Sequence, residues 1–377
     1  MQRHRTLARP EWRSEVERVG LTYHSVGGTQ TYWDESAYWV FTAAEIDQIE
    51  AATAELQEMC LAAGDFILKH DRLTSMGIPQ AATERIRETW RAEPPALYGR
   101  MDLAYNGHEL KLLEYNADTP TALVESAVAQ WYWLKAVFPG ADQFNSIHEH
   151  LVAKWRQLAG SVRQPVHFAC EPCDEDWMTI TYLRDTAQQA GLRTDALGMT
   201  EIGWDGNKRG FVDGQGCAIE TIFKLYPWEA LVSDGFGGHA LETMGTVQWM
   251  EPIWKMMWSN KALLAVLWEM FPGHQLLLPA YLDGPREMES WVRKPLLGRE
   301  GANVTVKVRG ITVEATPGRY ANDDFVYQHY MDLAPQGSQR VVLGSWLVDG
   351  EPCGIGIREP DGYVTTNVSR FVPHLFA

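Results

Sequence analysis

The sequence predicts an α+β protein, on three observations. Two hairpin-turn signals, Asn106-Gly107 and Asp349-Gly350, each sit between strand-like runs. A strand–helix–strand pattern spans Val166 to Met199, the mark of a small parallel sheet. Helices with clear start and stop signals flank both. The chain has 377 residues, enough for one large or two ordinary domains, and 45% of them are hydrophobic. No internal repeat, linker or low-complexity segment interrupts it.

In chain order, residues 1–40 are irregular and rich in Trp and Tyr, with a short helix expected over Pro10–Val16. Trp33, Tyr38 and Trp39 are expected to pack on the main body. Thr42 and Glu45 form a capping box. Ile46, Ile49, Leu56, Met59 and Cys60 then give the apolar stripe of a helix running to about His70. A second helix over Thr83–Glu93 ends before Pro94-Pro95. The arms of a hairpin follow at Met101–Tyr105 and Glu109–Tyr115. Helices are expected over Ala122–Lys135, stopped by Phe138-Pro139-Gly140, and over Ile147–Leu158. Val166–Cys170 reads as a buried strand, Trp177–Ala190 as a helix closed by Gly191, and Arg193–Met199 as the partner strand. Gly210–Ile219 reads as a turn-rich hairpin, Thr221–Tyr226 as a strand and Trp249–Met257 as a helix. Ser259-Asn260-Lys261 opens a helix over Ala262–Met270 that Phe271-Pro272-Gly273 stops. Trp291–Lys294 is a basic strand, Val304–Val313 is β-rich and Phe325–Tyr330 is a strand. The tail is expected to hold strands at Val341–Val348, Cys353–Arg358 and Tyr363–Thr365.

The hairpin carries the clearest chemistry. Side chains alternate along a strand, so Arg100, Asp102 and Ala104 share one face of the first arm. By the same rule Leu112, Glu114 and Asn116 share one face of the second. Two carboxylates and an amide oxygen are hard ligands of the kind Mg²⁺ takes, commonly beside phosphate oxygens. Arg100 would offer an always-charged fork to a phosphate. A surface hairpin with solvated charges accounts for the spacing equally well.

Three other stretches carry weaker signals. After the strand ending in Lys294, Gly298 and Gly301 would let backbone N–H groups approach a phosphate, although ordinary hairpins also use glycine. The pattern is neither a Walker A loop nor a Rossmann fingerprint. Gly354 and Gly356 lie inside a strand, which marks close approach of another backbone or a ligand, and Arg358 follows. Asp174-Glu175-Asp176 precedes a helix, where acids complement the macrodipole. The other reading is an acidic pocket for an amine at the carboxyl end of a strand.

Composition sets bounds. The net charge is −16 and the pI about 5.1, which excludes a general nucleic-acid or anionic-membrane binder, since both need a basic face. It is compatible with a cationic substrate such as a polyamine. The five cysteines are scattered, and Cys170-Glu-Pro-Cys173 lacks a second pair or a His/Cys set to complete a zinc site, so reduced thiols are expected. No apolar run is long enough to span a bilayer, and the first residues lack an apolar leader core. A cytoplasmic protein is expected.

Arg100-x-Asp102, followed by Glu114-Tyr115-Asn116-Ala117-Asp118 and the hydroxyls of Thr119 and Thr121, resembles the metal and substrate hairpin of the glutathionylspermidine synthetase family. Those enzymes are ATP-grasp carbon–nitrogen ligases. The resemblance runs to about Arg370, through Ser259-Asn260-Lys261-Ala262, Lys294-Pro295-x-x-Gly298-Arg299-x-Gly301, the strand holding Gln328, and Gly354-x-Gly356-x-Arg358. It implies an ATP-grasp-like fold, with antiparallel sheets around the nucleotide site, a small βαβ-type sheet and flanking helices. Approximate lobes would be 1–160 with the hairpin, 161–245, and 246–377 for ATP.

The resemblance also implies roles. Asp102, Glu114 and Asn116 would hold Mg²⁺. Arg100 would contact the transferring phosphate and the acyl group, and Arg358 would stabilise the acyl phosphate. Arg100, Asp102, Lys261, Lys294, Glu300, Gly301 and Gln328 would contact ATP. Thr119 and Thr121, where the family usually has Ser, would contact a glutathione-like carboxylate substrate. Asp174 and Glu175 would meet a polyamine-like amine. Larger members carry an N-terminal Cys-dependent amidase domain, which this chain is expected to lack. The expected activity is ATP-dependent amide formation between such a carboxylate and amine, with no nucleic-acid or membrane partner. A peptide or amino-acid ligase of the same mechanism, and an ATP-binding regulatory protein without turnover, are the alternatives.

Overall fold

A computed structural model describes residues 1–28, 30–320, 324–334 and 339–376. The fold is mixed α+β, with several antiparallel sheets and one parallel sheet. At its centre lies a five-stranded antiparallel sheet in the order Arg370–Phe371, Glu351–Glu359, Val342–Val348, Tyr98–Tyr105, Leu110–Asn116. Residues 98–116 and 342–371, more than two hundred positions apart in the chain, therefore share one sheet. Met101, Leu103, Tyr105, Leu110, Leu112 and Tyr115 pack in one core with the helix Ala43–Lys69. Thr42 caps that helix with the expected box, its hydroxyl accepting from the Glu45 N–H.

The central hairpin departs from strict alternation. Asp102 faces Glu114, but its neighbour Leu103 faces Leu112, so Leu113 is the extra residue of a β-bulge. Leu112 therefore turns into the core with Leu103, not onto the face of Glu114 and Asn116 as alternation alone predicts. The connecting loop is the four-residue stretch 106–109, closed by the Asn106 side chain, whose Oδ1 accepts from the His108 and Glu109 N–H groups. The second signal, Asp349-Gly350, is a two-residue turn with φ of 56° and 81°, the left-handed pair a tight hairpin requires.

The parallel sheet has four strands in the order Gln248–Met250, Thr221–Leu225, Val166–Cys170, Thr194–Gly198. Its crossover helix, Asp174–Gln189, starts three residues before the expected Trp177, so the three acids form its first turn. Trp249 is in a strand and not in the expected helix. Short apolar runs do not separate the two by periodicity, and helical turns begin only at Ile253, after Pro252. The chain turns back over Gly210–Ile219 as expected, with Val212 bridged to Ala218 and the Ile219 N–H donating to the Phe211 carbonyl at 2.9 Å, and Gly210–Val212 also pairs upstream with Gly203–Asp205.

A second five-stranded antiparallel sheet has the order Ala280–Tyr281, Phe325–His329, Trp291–Pro295, Thr305–Val308, Ile311–Ala315. Residues Tyr363–Thr365 form no strand; they pack against the glycine loop, where a Cβ on Gly301 would lie 2.6 Å from the Thr365 carbonyl oxygen. The glycines of the tail strand admit side chains rather than a ligand. A Cβ on Gly356 would lie 2.4 Å from Ser126 Oγ, and one on Gly354 would lie 2.9 Å from Ile147 Cγ1. Gln2–Arg5 and His374–Phe376 flank Ala37–Phe41 in a small sheet that local sequence did not announce.

Two buried ion pairs fix the hairpin to its surroundings. Asp118, just past the second arm, accepts from Lys224 Nζ at 2.7 Å and from the Trp228 N–H at 2.9 Å. Glu251 pairs with Lys255 and accepts from the Leu97 and Tyr98 N–H groups at the start of the first arm. Burial pushes both carboxyls up and Lys224 down. Removing one partner strands a charge without water, a loss of about 3–5 kcal/mol. Lys224→Met is therefore expected to lose stability of that order in urea unfolding, and adding Asp118→Asn is expected to recover part of it.

Candidate functional site

A cleft of about 220 Å³ opens between the central hairpin and the second antiparallel sheet. It is lined by every residue expected to bind metal, nucleotide or substrate except Asp174. The bulge builds its floor. With Leu112 turned inward, the Leu112 carbonyl accepts from Gln328 Nε2 at 2.9 Å, and the Leu113 carbonyl accepts from Lys294 Nζ at 2.9 Å. Gln328 Oε1 accepts a second bond from Lys294 at 2.9 Å. Gln328 is only 2% exposed, and its side chain is spent holding Lys294 in place.

Arg100 grips Asp102 through two bonds, Nε to Oδ1 at 2.7 Å and Nη2 to Oδ2 at 3.2 Å, and also donates to the Thr121 carbonyl. Gly344, paired with Asp102 on the neighbouring strand, leaves room for this guanidinium; a Cβ there would lie 2.8 Å from Arg100 Cδ. Glu114 takes Lys261 Nζ at 3.0 Å and Asn116 Nδ2 at 3.2 Å. Lys261 also donates to the Gly298 carbonyl at 2.7 Å, tying the glycine loop to the hairpin. In that loop Glu300 and Gly301 both have positive φ, 54° and 71°.

The electrostatics split the carboxyls. Burial pushes Glu114 up, but Lys261 and Lys294 outweigh it and hold the group at about 2. Burial pushes Asp102 up by more than Arg100 draws it down. Lys294 is pushed down to about 8 by burial, with Glu114 opposing. Arg358 is held by the Ser369 and Thr366 carbonyls at 3.1 and 2.6 Å, and its guanidinium lies 5.2 Å from the centre of the Tyr32 ring. Lys294 and Arg358 are thus anchored by carbonyls and an amide, which leaves their charge for whatever enters. Leu113, Val292, Leu333 and Val342 form an apolar wall beside them.

At the other end, the Thr119 hydroxyl accepts from Arg299 Nη1 at 2.8 Å. Glu175 and Thr121 line the cleft here, and burial pushes the Glu175 carboxyl up. Asp174 is exposed and lines a different groove, with Trp177 and Asp185. Successive helical residues point about 100° apart, so only one of the two acids can face the cleft.

Tyr32, Glu125 and Arg340 escaped sequence reasoning, and Arg299 was named in the glycine-loop motif without a role. Arg299 and Arg340 line the cleft. Tyr32 donates to Glu125 Oε1 at 2.7 Å beneath Arg358. Glu125 is fully buried in a π-turn, Glu125–Ala129, and burial pushes it up to about 7. A lone Glu inside the apolar run Ala122–Ala129 was the signal available for it.

Comparison with known proteins gives the family. A family profile described as glutathionylspermidine synthase preATP-grasp matches residues 3–377. A Haemophilus influenzae protein provisionally named an acid–amine ligase is 40% identical over 385 residues, covering 98% of this chain and 97% of its own. The trypanothione synthetase of Crithidia fasciculata is 28% identical, over 80% of this chain and 50% of its own. The bifunctional glutathionylspermidine synthetase/amidase of Escherichia coli is 26% identical, over 96% of this chain and 63% of its own. The chain therefore spans half to two thirds of those two longer relatives. Among solved structures, a glutathione synthetase-like effector from Globodera pallida in its apo form shares the fold, with a TM-score of 0.55 at 12% identity and 97% and 96% of the two chains covered. No helix among the described residues is long and apolar enough to cross a membrane. With a profile that matches nearly end to end and a relative at 40% identity, the chain belongs to the glutathionylspermidine synthase preATP-grasp family.

Proposed function

We propose that the protein is an ATP-dependent carboxylate–amine ligase of the ATP-grasp type that forms an amide through an acyl phosphate. One observation carries this reading. In a chain of net charge −16, Arg100, Lys261, Lys294 and Arg358 converge on a single cleft with the oxygens of Asp102, Glu114 and Asn116. Cations turned inward in an acidic protein suit a polyanion such as a triphosphate, and a trio of hard oxygens suits the divalent ion that accompanies it. Asp102, Glu114 and Asn116 would hold Mg²⁺, which when bound would offset charge on the phosphate oxygens.

The chain's own residues position and neutralise. Lys261 and Lys294, the one tied to the glycine loop and the other fixed by Gln328, would hold the phosphates. The apolar wall would take the base. A substrate carboxylate oxygen attacks the terminal phosphorus, the bond to ADP breaks, and ADP leaves. The amine nitrogen then attacks the acyl carbon, the carbon–oxygen bond breaks, phosphate leaves and the amine gives up a proton. Arg100 and Arg358 would offset the charge that develops in both steps. Thr119, Thr121 and Glu175 would meet a glutathione-like carboxylate and a polyamine-like amine, the substrates that the names of the longer relatives suggest. We divide the chain, within that reading, into the lobes 1–160, 161–245 and 246–377.

Mg-ATP with glutathione and spermidine is expected to release ADP and phosphate and to give the amide adduct by mass spectrometry. ADP release with neither substrate but with another carboxylate and amine would keep the ligase and discard these substrates. Binding of ATP without turnover across a panel of carboxylates and amines would favour a regulatory nucleotide binder.

Asp102→Asn and Arg358→Ala are expected to cut ADP formation by about 10²–10³-fold, the scale of losing one charge-stabilising group. Their melting curves are expected to stay close to that of the parent; full activity in either variant contradicts its role. Lys294 is charged below about pH 8 and loses its proton above it. Nucleotide binding favours the charged form, so calorimetric affinity for Mg-ATP is expected to fall as pH rises through about 8. In Lys294→Met that fall is expected to flatten.

A further inference from the structure

We propose that His167, Asp195 and Asp213 form a divalent transition-metal site at the end of the parallel sheet remote from the cleft. His167 is the second residue of the strand Val166–Cys170, and Asp195 the second of Thr194–Gly198. The two are direct partners across the parallel pair, so both side chains leave the same face. The cleft lies off the other end of these strands, where Glu175 stands in the helix that follows Cys170. Asp213 comes from the tight turn after Gly210–Val212. Its Oδ1 accepts from the Gln215 and Cys217 N–H groups, both at 2.9 Å, so the turn fixes the carboxylate. The other oxygen, Oδ2, is left facing His167 Nε2 at 3.8 Å.

The imidazole is the independent observation. His167 is 1% exposed, yet among the described residues neither of its ring nitrogens has a hydrogen-bond partner. Buried polar nitrogens are rarely left in that state. This ring is aimed at two carboxylates that supply no hydrogen bond at the distances found. One ligand atom from each of the three residues lies within 4.8 Å of the others. Around an ion with bonds of about 2.1 Å, ligand atoms stand roughly 3–3.5 Å apart, so a contraction of about 1 Å completes the set. Asp195 is exposed and supplies most of this movement, while Asp213 Oδ2 already stands 3.8 Å from His167 Nε2 and needs only a small shift. Solvent reaches the site from the Asp195 side.

One imidazole nitrogen with two carboxylate oxygens selects Zn²⁺, Co²⁺ or Mn²⁺ over Mg²⁺, which seldom takes nitrogen. Three protein ligands leave the remaining positions to water. A bound ion would staple the hairpin Gly203–Val212 to the edge of the parallel sheet, a structural role independent of the ligase chemistry.

The test is a Co²⁺ titration of the full nucleotide-free chain after chelation and dialysis, followed by visible absorption. Co²⁺ is expected to bind with d–d bands and without a thiolate charge-transfer band. The signal is expected to persist in Glu114→Gln, which removes a carboxylate charge from the cleft. Asp195→Asn and Asp213→Asn are each expected to weaken binding by about tenfold or more. Their far-ultraviolet dichroism and metal-free melting are expected to match the parent, which separates loss of the site from loss of the fold. Absence of Co²⁺ binding by the parent, a signal lost only in Glu114→Gln, or binding by both Asp variants as tight as the parent's overturns the assignment.

Discussion

Leu113 is one residue more than the first hairpin strand can match, and the cleft depends on it. A hairpin without the bulge would put Leu112 on the same face as Glu114, wasting an apolar side chain on a polar surface. The extra residue lets Leu103 and Leu112 stay in the core while Asp102, Glu114, Arg100 and Asn116 gather on the other face. It also turns two adjacent carbonyls out of the sheet ladder, where they anchor Gln328 and Lys294 from the opposing sheet. Bulges re-aim side chains beside active sites for this reason. The two sheets of the cleft are thereby joined at its floor by hydrogen bonds.

Charge is then distributed in two classes. Arg100 and Lys261 are committed to Asp102 and Glu114, which keeps the hard oxygens and the positive charges in one place without stranding either. Lys294 and Arg358 are held by carbonyls and an amide. The cost of this arrangement shows in the depressed Lys294 and in the raised Asp102. Desolvated charges of this kind are worth most where charge develops in a reaction. The family relationship and the ligase names of the relatives fit that use.

Much of the site was legible in the sequence because its chemistry is compressed into short motifs. The hairpin forms where its spacing indicated, and the glycine loop and Arg358, which the resemblance rather than spacing assigned to this site, line the same cleft. Asp118, in the hairpin motif, proved to be a buried anchor for Lys224. What stayed hidden depends on contacts distant in sequence. Nothing local marks Leu113 as a bulge, since that register is set by the core on one side and Lys294 on the other. The acids at 174–176 read as one cluster until the helix start was fixed, and its rotation separates Glu175 from Asp174. The strand at Trp249 and the small sheet joining both chain ends exist only through pairing with remote partners. Glu125 sits in an apolar run and finds its partner, Tyr32, 93 residues away.

The central claim is that this cleft activates a carboxylate by phosphorylation. Its most direct test uses glutathione carrying heavy oxygen in the carboxylate that becomes the amide, turned over with Mg-ATP and spermidine, with the released phosphate analysed by mass. Attack of that carboxylate on the terminal phosphorus moves one heavy oxygen into each phosphate released, and one heavy oxygen per amide is the expected result. Amide formed with unlabelled phosphate, or with AMP and pyrophosphate as the products, would contradict the account.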